Sequence, residues 1–249
     1  MLTCYVSGQD NPSQNTFLRN IYIETGMDFV GCTPPEEKDY IRGDVIPDPY
    51  YYETSYIRAL LYKNFVGVKY EKRVLQNKVG LTAGVRFTWM HSSIGKNSYW
   101  GSGSDYYYFL YQEQGTKTEF LRVKDITQSA TYIGIPFEIR IYPYEERTVQ
   151  MYYKIGFDLN RLMTAHTKVS FENKLMDSYE QGIEQIIEEP LSYYATAYAA
   201  IGMKIGKSDK PGVNLEACIP AVIICNYDAA FVKPTAGGGF QINLRIPLK

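Results

Sequence analysis

The stretch Lys78-Val79-Gly80-Leu81-Thr82-Ala83-Gly84-Val85-Arg86-Phe87-Thr88-Trp89-Met90 alternates without an error. Val79, Leu81, Ala83, Val85, Phe87 and Trp89 fall on one face, and Gly80, Thr82, Gly84, Arg86, Thr88 and Met90 on the other. Successive side chains of a strand point to opposite faces, so this period of two specifies a strand with one apolar and one mixed polar face. The pattern recurs along the chain. Tyr132 to Pro143 sets Ile133, Ile135, Phe137, Ile139 and Ile141 against Gly134, Pro136, Glu138, Arg140 and Tyr142. Thr148 to Arg161 sets Val149, Met151, Tyr153, Ile155, Phe157 and Leu159 against Gln150, Tyr152, Lys154, Gly156, Asp158 and Asn160. The last run opposes Phe240, Ile242, Leu244, Ile246 and Leu248 to Gln241, Asn243, Arg245 and Pro247.

Four noisier runs complete a set of eight: around Ile21 to Phe29, Ser55 to Glu71, Tyr193 to Ile205, and Val213 to Cys225. Their connections alternate in length. Lys72 to Asn77, Tyr144 to Arg147 and Lys207 to Gly212 are tight and rich in turn formers. Cys32 to Thr54, Ile94 to about Thr118, His166 to Leu191 and Asn226 to Thr235 are longer. Strict alternation is the mark of an antiparallel up-and-down barrel with long loops on one rim and short turns on the other. With both termini on the short-turn rim, strand eight is expected to pair with strand one and leave no edge. Within the third long loop, Leu175, Met176, Tyr179, Ile183, Ile186 and Ile187 recur at helical spacing before Pro190, which predicts a helix, either packed on its own barrel rim or presented to a partner.

Composition agrees with a β-rich chain. Of 249 residues, 24 are Tyr and 20 Gly, and aromatic residues make up 15%. Lys+Arg 26 against Asp+Glu 27 gives a net charge of -1, which offers no field for nucleic acid and no acidic excess for disorder. Mean hydropathy is -0.29, and the longest apolar stretches, Ala217 to Cys225 and Tyr193 to Met203, are too short for a spanning helix of roughly 18 to 20 residues. Membrane strands need only about 9 to 11 alternating residues, so a β-barrel in a membrane stays open. Residues 1–16 read as an N-terminal lead-in, polar from Asp10 to Thr16, and 17–249 as a single barrel domain. The lead-in is either a frayed start or the remnant of a signal peptide, with Val6-Ser7-Gly8 as the small residues before a cleavage site. Thr3 is a poor residue before Cys4 for lipid attachment.

Alternation is equally compatible with a lipid-facing barrel and a soluble lipocalin-like barrel whose apolar face encloses a small apolar ligand. Three features favour the apolar face outward. The polar faces carry a nearly balanced set of charges, Glu24, Asp28, Lys69, Arg86, Glu138, Arg140, Lys154, Asp158, Lys204, Glu216 and Arg245, interspersed with Gly84, Gly134, Gly156 and Gly202. A narrow eight-strand interior holds such a set as a paired network. Aromatic residues gather near strand ends, at Phe29, Tyr56, Tyr70, Phe87, Trp89, Tyr142, Tyr144, Tyr193 and Phe240, as a membrane-interface girdle requires. Four long loops also share one rim, where a soluble barrel of that kind has mostly short hairpins.

Tyr132-Ile133-Gly134-Ile135-Pro136-Phe137-Glu138-Ile139-Arg140 resembles a strand common in the small porin-like outer-membrane β-barrel proteins of Bacteroidetes. Val79-Gly80-Leu81-Thr82-Ala83-Gly84-Val85 is similar to their G-x-x-x-G strands, and Gly239 to Leu248 to their closing strand. The resemblance implies a Gram-negative outer-membrane protein with extracellular loops and periplasmic termini, assembled by the barrel-assembly machinery.

Motifs for chemistry are sparse. The four cysteines show no metal spacing; a Cys32–Cys225 bridge is one reading and free thiols the other. His91 and His166 sit at loop-side strand ends with Ser92, Ser93 and Asp177 near, which leaves a rim-active enzyme as a second alternative and plain rim polarity as the simpler one. Gly237-Gly238-Gly239 precedes a strand, so it reads as a flexible entry rather than a phosphate loop. The clusters Asp105-Tyr106-Tyr107-Tyr108 and Pro49-Tyr50-Tyr51-Tyr52 suit anchoring, loop packing or contact with glycans or partners. The expectation is therefore a closed outer-membrane β-barrel of structural or surface-recognition type, not an enzyme, without metal or cofactor, in contact with outer-membrane lipid and with no nucleic-acid partner.

Overall fold

A computed structural model describes residues 18–33, 41–42, 55–98, 105–112, 118–144, 147–226 and 230–248. Ten strands make one antiparallel sheet: β1 (Arg19–Thr33), β2 (Ile41–Arg42), β3 (Ser55–Val74), β4 (Val79–Ser98), β5 (Tyr107–Gln112), β6 (Thr118–Ile141), β7 (Val149–Phe171), β8 (Tyr193–Ile205), β9 (Gly212–Ile224) and β10 (Lys233–Leu248). The eight long strands close into a ring, β1-β3-β4-β6-β7-β8-β9-β10, with β10 paired back to β1. Beyond the ring, β5 pairs with the start of β6, and β2 pairs with β5.

Register fixes the geometry of that ring. Following paired residues from Asn20 through Glu71, Thr82, Glu138, Gly156, Tyr198, Ala221 and Gly237 returns to β1 at Val30, ten residues along the strand. That stagger is roughly 33 Å at about 3.3 Å per residue, and eight strand spacings are about 38 Å, so the strands tilt about 40° from the ring axis.

The turns Leu75 to Lys78 and Gly206 to Pro211, and the β6 end and β7 start at Ile141 and Val149, lie on one rim with both described chain ends. Leu75, Gln76 and Asn77 all take positive φ, and the Asn77 side-chain oxygen accepts from the Leu18 N–H at 3.1 Å, which ties the β3–β4 turn to the start of β1. The strand ends that flank the four longer connections lie at the opposite rim. In the third, a 3-10 turn (Lys174–Tyr179) leads into the short helix α1 (Glu180–Ile186), so the expected helix occupies only part of its apolar run.

Polarity along the strands changes in two zones. Near the short-turn rim the outward residues are apolar: Leu81, Val85, Phe87 and Trp89 on β4, Ile133 to Ile141 at alternate positions on β6, and Val149 to Leu159 on β7 are exposed. Their inward neighbours are charged or polar and buried. Farther along the same strands the arrangement inverts. Outward positions become His91 and Ser93 on β4, Thr131, Ser129 and Thr127 on β6, and Arg161, Thr164, His166 and Lys168 on β7. The space inside is filled by an apolar core in which Ile94, Phe109, Val123 and Ile126 pack with Ile183 and Ile187 of the helical connection and Phe231 and Val232 of the last loop.

This inversion explains why the strands outrun the alternating runs that announce them. β6 starts at Thr118 rather than near Tyr132, and β7 continues to Phe171 rather than stopping near Arg161. The ladder carries a bulge at Met163 of β7, opposite Thr131 and Tyr132, and another at Lys124 of β6, opposite Ser170 and Phe171, and each shifts the phase of its own strand by one residue. β5 lies in a stretch expected to be loop. Its residues Tyr107, Tyr108, Phe109 and Leu110 are apolar or aromatic on both faces, so a period of two leaves no trace.

Gly237-Gly238-Gly239 is not a flexible entry but part of β10, paired with Val30, Phe29 and Asp28 of β1. A Cβ on Gly237 would meet the Phe29 carbonyl and Val30 Cα; one on Gly239 would meet the Met27 carbonyl and Asp28. The glycines are required by the close approach of the two strands that close the ring.

Candidate functional site

All eleven charged residues singled out in the sequence are buried inside the ring: Glu24, Asp28, Lys69, Arg86, Glu138, Arg140, Lys154, Asp158, Lys204, Glu216 and Arg245. Alternation positions them, since each sits on the face opposite an exposed apolar residue of its own strand. Glu138 of β6 is the hub. It lies 2.6 Å from Lys69 Nζ, 2.9 Å from Arg140 Nη2, 3.2 Å from Lys154 Nζ and 3.8 Å from Arg86 Nη2. Glu24 faces Lys69 at 2.6 Å and Arg86 Nε at 2.7 Å, and Arg86 also pairs with Asp158. Glu216 pairs with Lys154 and, at 3.2 Å, with Arg140. Asp28 pairs with Lys63 at 3.0 Å.

Lys204 and Arg245 bind groups of the β8–β9 turn. The Lys204 ammonium donates to Ser208 Oγ at 2.8 Å. The Arg245 guanidinium donates to the carbonyls of Gly206, Lys207 and Lys210 at 3.3, 2.6 and 3.3 Å, so it secures the β8–β9 turn.

The structure adds members that the sequence reading left out. Lys63, Glu71 and Arg73 share the parity of Lys69 on β3, which was the available signal. Glu71 accepts from Asn20 Nδ2 at 2.6 Å, from the Tyr22 hydroxyl at 2.9 Å and from the Tyr142 hydroxyl at 2.9 Å. Tyrosines bind the web together. The Tyr198 hydroxyl donates to Glu138 at 2.9 Å and Asp158 at 3.1 Å, and the Tyr152 hydroxyl donates to Glu216. Tyr198 of β8 lies over Gly156 of β7, and Tyr152 of β7 lies over Gly202 of β8; a Cβ at either glycine would run into the ring. Hence the alternation of glycine with long polar side chains: each ring occupies the space its cross-strand glycine vacates.

Of the aromatic residues expected outside, Phe29, Tyr70, Phe87, Trp89, Tyr193 and Phe240 are exposed, as is Tyr144. The Tyr56 side chain lies outside the described residues. Tyr142 is a correction, because it is fully buried. Its backbone N–H donates to the Lys78 carbonyl at 2.8 Å, so the alternation of β6 runs one residue past Ile141 and turns Tyr142 inward, where the Arg73 guanidinium stacks 3.9 Å from its ring centre.

Beyond the long-loop rim, the sheet of β5, β6 and β7 carries an aromatic and charged surface. Tyr106 and Tyr108 meet edge to face at 5.6 Å, Tyr108 and Phe120 at 6.4 Å, and Arg122 lies 5.0 Å from the Tyr106 ring while pairing with Glu172 at 3.1 Å. A hydrogen bond from Lys124 holds the Asp105 carboxyl below its usual range. The Pro49 to Tyr52 cluster lies outside the described residues.

His91 packs on Tyr62 with ring centres 4.9 Å apart, and its Nδ1 lies 3.2 Å from Ser129 Oγ. Ser129 also pairs across the sheet with His166, so a row of His91, Ser129 and His166 crosses the outward face. Ser92 faces inward on β4 beside a small cavity with Gln128 and Tyr132, and Asp177 is in the 3-10 turn, so the expected rim group is dispersed. Cys32, Cys218 and Cys225 are free thiols; the Cys32–Cys225 bridge is not formed, and both side chains pack against the apolar cluster around Val30, Leu61 and Tyr194. Among the described residues no group of His, Cys, Asp and Glu is arranged to hold a metal ion, and no helix is long and apolar enough to cross a membrane.

The chain matches no protein-family model and no curated protein.

Proposed function

We propose that the chain is an outer-membrane β-barrel of a Gram-negative bacterium, with an interior closed by its own charges and a recognition surface on the strands and loops beyond the membrane. One observation carries this reading: the outward face of the ring is continuously apolar over a limited height and turns polar farther along the same strands. From Val79 to Trp89 the apolar run is roughly 33 Å long, which at a tilt of about 40° is a band about 25 Å tall, the height of the apolar band on membrane barrels. In water such a band is an unfavourable surface far larger than a soluble monomer exposes.

The inverted polarity supports the same reading. In lipid, charges belong inside and paired, and above the lipid an apolar core belongs inside. A soluble barrel enclosing an apolar ligand would need the lower faces exchanged. Placement of the loops outside the cell and the termini in the periplasm, passage through the barrel-assembly machinery, and kinship with the Bacteroidetes porin-like barrels belong to the proposal. The packed charge web, with Glu138 touching cations from β3, β4, β6 and β7, favours a structural interior over a diffusion channel. No catalytic role is assigned.

The test is fractionation of cells producing the full-length chain. The expected outcome is recovery in the membrane pellet, release by detergent but not by high salt or carbonate, and faster gel mobility before boiling than after. Recovery in the soluble fraction without detergent would sink the membrane reading.

A further inference from the structure

Ring closure leaves most of the sheet without an edge, but β7 outruns its neighbour. β8 pairs with β7 only as far as Arg161, opposite Tyr193. From Leu162 to Phe171, β7 is paired with β6 alone. Two hydrogen bonds mark the ends of the open stretch: the Leu162 N–H donates to the Ser192 carbonyl at 2.8 Å, and the Val169 N–H donates to Glu180 Oε1 at 3.3 Å. Between them, residues 163–168 have no partner strand on that side among the described residues.

Direction follows from Val169. Its N–H points away from β6 to Glu180, and pairing is unbroken from Thr164↔Thr131 to Val169↔Ile126. Backbone groups alternate along a ladder, so Ala165 and Thr167 also turn N–H and C=O to the open side. Thr164, Ala165, His166 and Lys168 are exposed, so side chains on both faces reach solvent. A strand edge with unsatisfied groups and uncovered faces is a template for another strand.

We infer that residues 163–168 of β7 are a docking edge that takes an extended acidic segment of a partner protein by strand addition. Thr164, His166 and Lys168 stand on the outward face of this edge, Arg161 stands on the same face at the last pair with β8, and the Glu180 carboxylate meets the edge only beyond it, at Val169. A cationic edge disfavours apolar strands and complements one that carries carboxylates at alternate positions. Choosing a foreign strand over a second copy rests on the membrane reading. Antiparallel pairing of two copies of this edge needs a two-fold axis normal to the sheet; here the sheet is the wall of an upright ring, so that axis would turn the second copy upside down in the same membrane.

The test uses the full chain in detergent micelles or, if it proves soluble, in buffer, with a fluorescein-labelled hexapeptide of alternating valine and glutamate as probe. Saturable binding at low salt is expected, at least about tenfold weaker for the valine–lysine counterpart. Ala165→Pro removes an N–H that has no hydrogen-bond partner among the described residues and should weaken binding about tenfold while gel mobility and the β spectrum stay unchanged. Lys168→Glu, which leaves the backbone alone, should weaken binding of the glutamate peptide and favour the lysine one. No saturable binding, or equal binding by wild type and both variants, overturns the edge as the site. A dimer in light scattering that Ala165→Pro dissociates would overturn the foreign-strand assignment in favour of a second copy. Because the peptide assay runs with or without detergent, its failure is distinguishable from failure of the membrane reading, which fractionation decides.

Discussion

Glu138→Lys should abolish the folded, heat-modifiable form of the protein. Glu138 is fully enclosed and touches Lys69, Lys154, Arg140 and Arg86, so the reversal removes the shared acid and adds a fifth cation among four. Breaking one buried pair costs about 3–5 kcal/mol, a large fraction of the roughly 5–15 kcal/mol that holds a typical domain together. The Tyr198 hydroxyl also loses its 2.9 Å acceptor. Glu138→Gln keeps the volume and an acceptor for Tyr198, so its loss should be smaller and the protein should still refold. Refolding into detergent, read by gel mobility before and after boiling, checks both. Wild-type yield of folded Glu138→Lys would show that the interior charges are independent and hydrated rather than one web.

Ile155→Arg is the outward counterpart. Ile155 lies near the middle of the exposed apolar run of β7 from Val149 to Leu159, with no interior partner to lose. Facing lipid, an arginine there costs about 2–4 kcal/mol; facing water, a surface substitution stays within about 0.5 kcal/mol. Thr164→Arg on the same strand, beyond the apolar run, should fall in the second class. Urea unfolding in lipid vesicles measures the difference, and equal stability of the two variants would contradict a lipid-facing band.

The ring was legible in the sequence where one face was consistently apolar. Val79 to Trp89, Ile133 to Ile141 and Val149 to Leu159 announced their strands because a chemical boundary runs along each of them. The alternating loop lengths announced the order of pairing. Legibility failed where that boundary changes. Past Thr131 the outward side turns polar, the inside turns apolar, and bulges at Met163 and Lys124 shift the phase of β7 and β6, so the upper halves of both strands read as loop. β5 was lost because Tyr107 to Leu110 are aromatic or apolar on both faces.

Within the interior, alternation identified which residues point inward but not which ones meet. The convergence of Lys69, Arg86, Arg140 and Lys154 on Glu138 depends on the ten-residue stagger of the ring, a property of pairing between distant segments. Tyr142 shows the reverse failure. It alternates with Ile141 and so belonged inside by parity, yet its position near a strand end suggested the interface girdle. Parity was the stronger constraint, because a one-residue departure would have turned the chain out of the ladder. The open edge at Ala165 and Thr167 had no sequence signature, since it arises from β8 starting too late to cover it.

Fluorescence quenching of a single tryptophan at position 155 tests the lipid-facing band most directly. Ile155→Trp in a Trp89→Phe, Trp100→Phe background, reconstituted in phospholipid vesicles, should be quenched strongly by bromines near the middle of the acyl chains and hardly at all by aqueous iodide. Quenching by iodide, without quenching by brominated lipid, would contradict it.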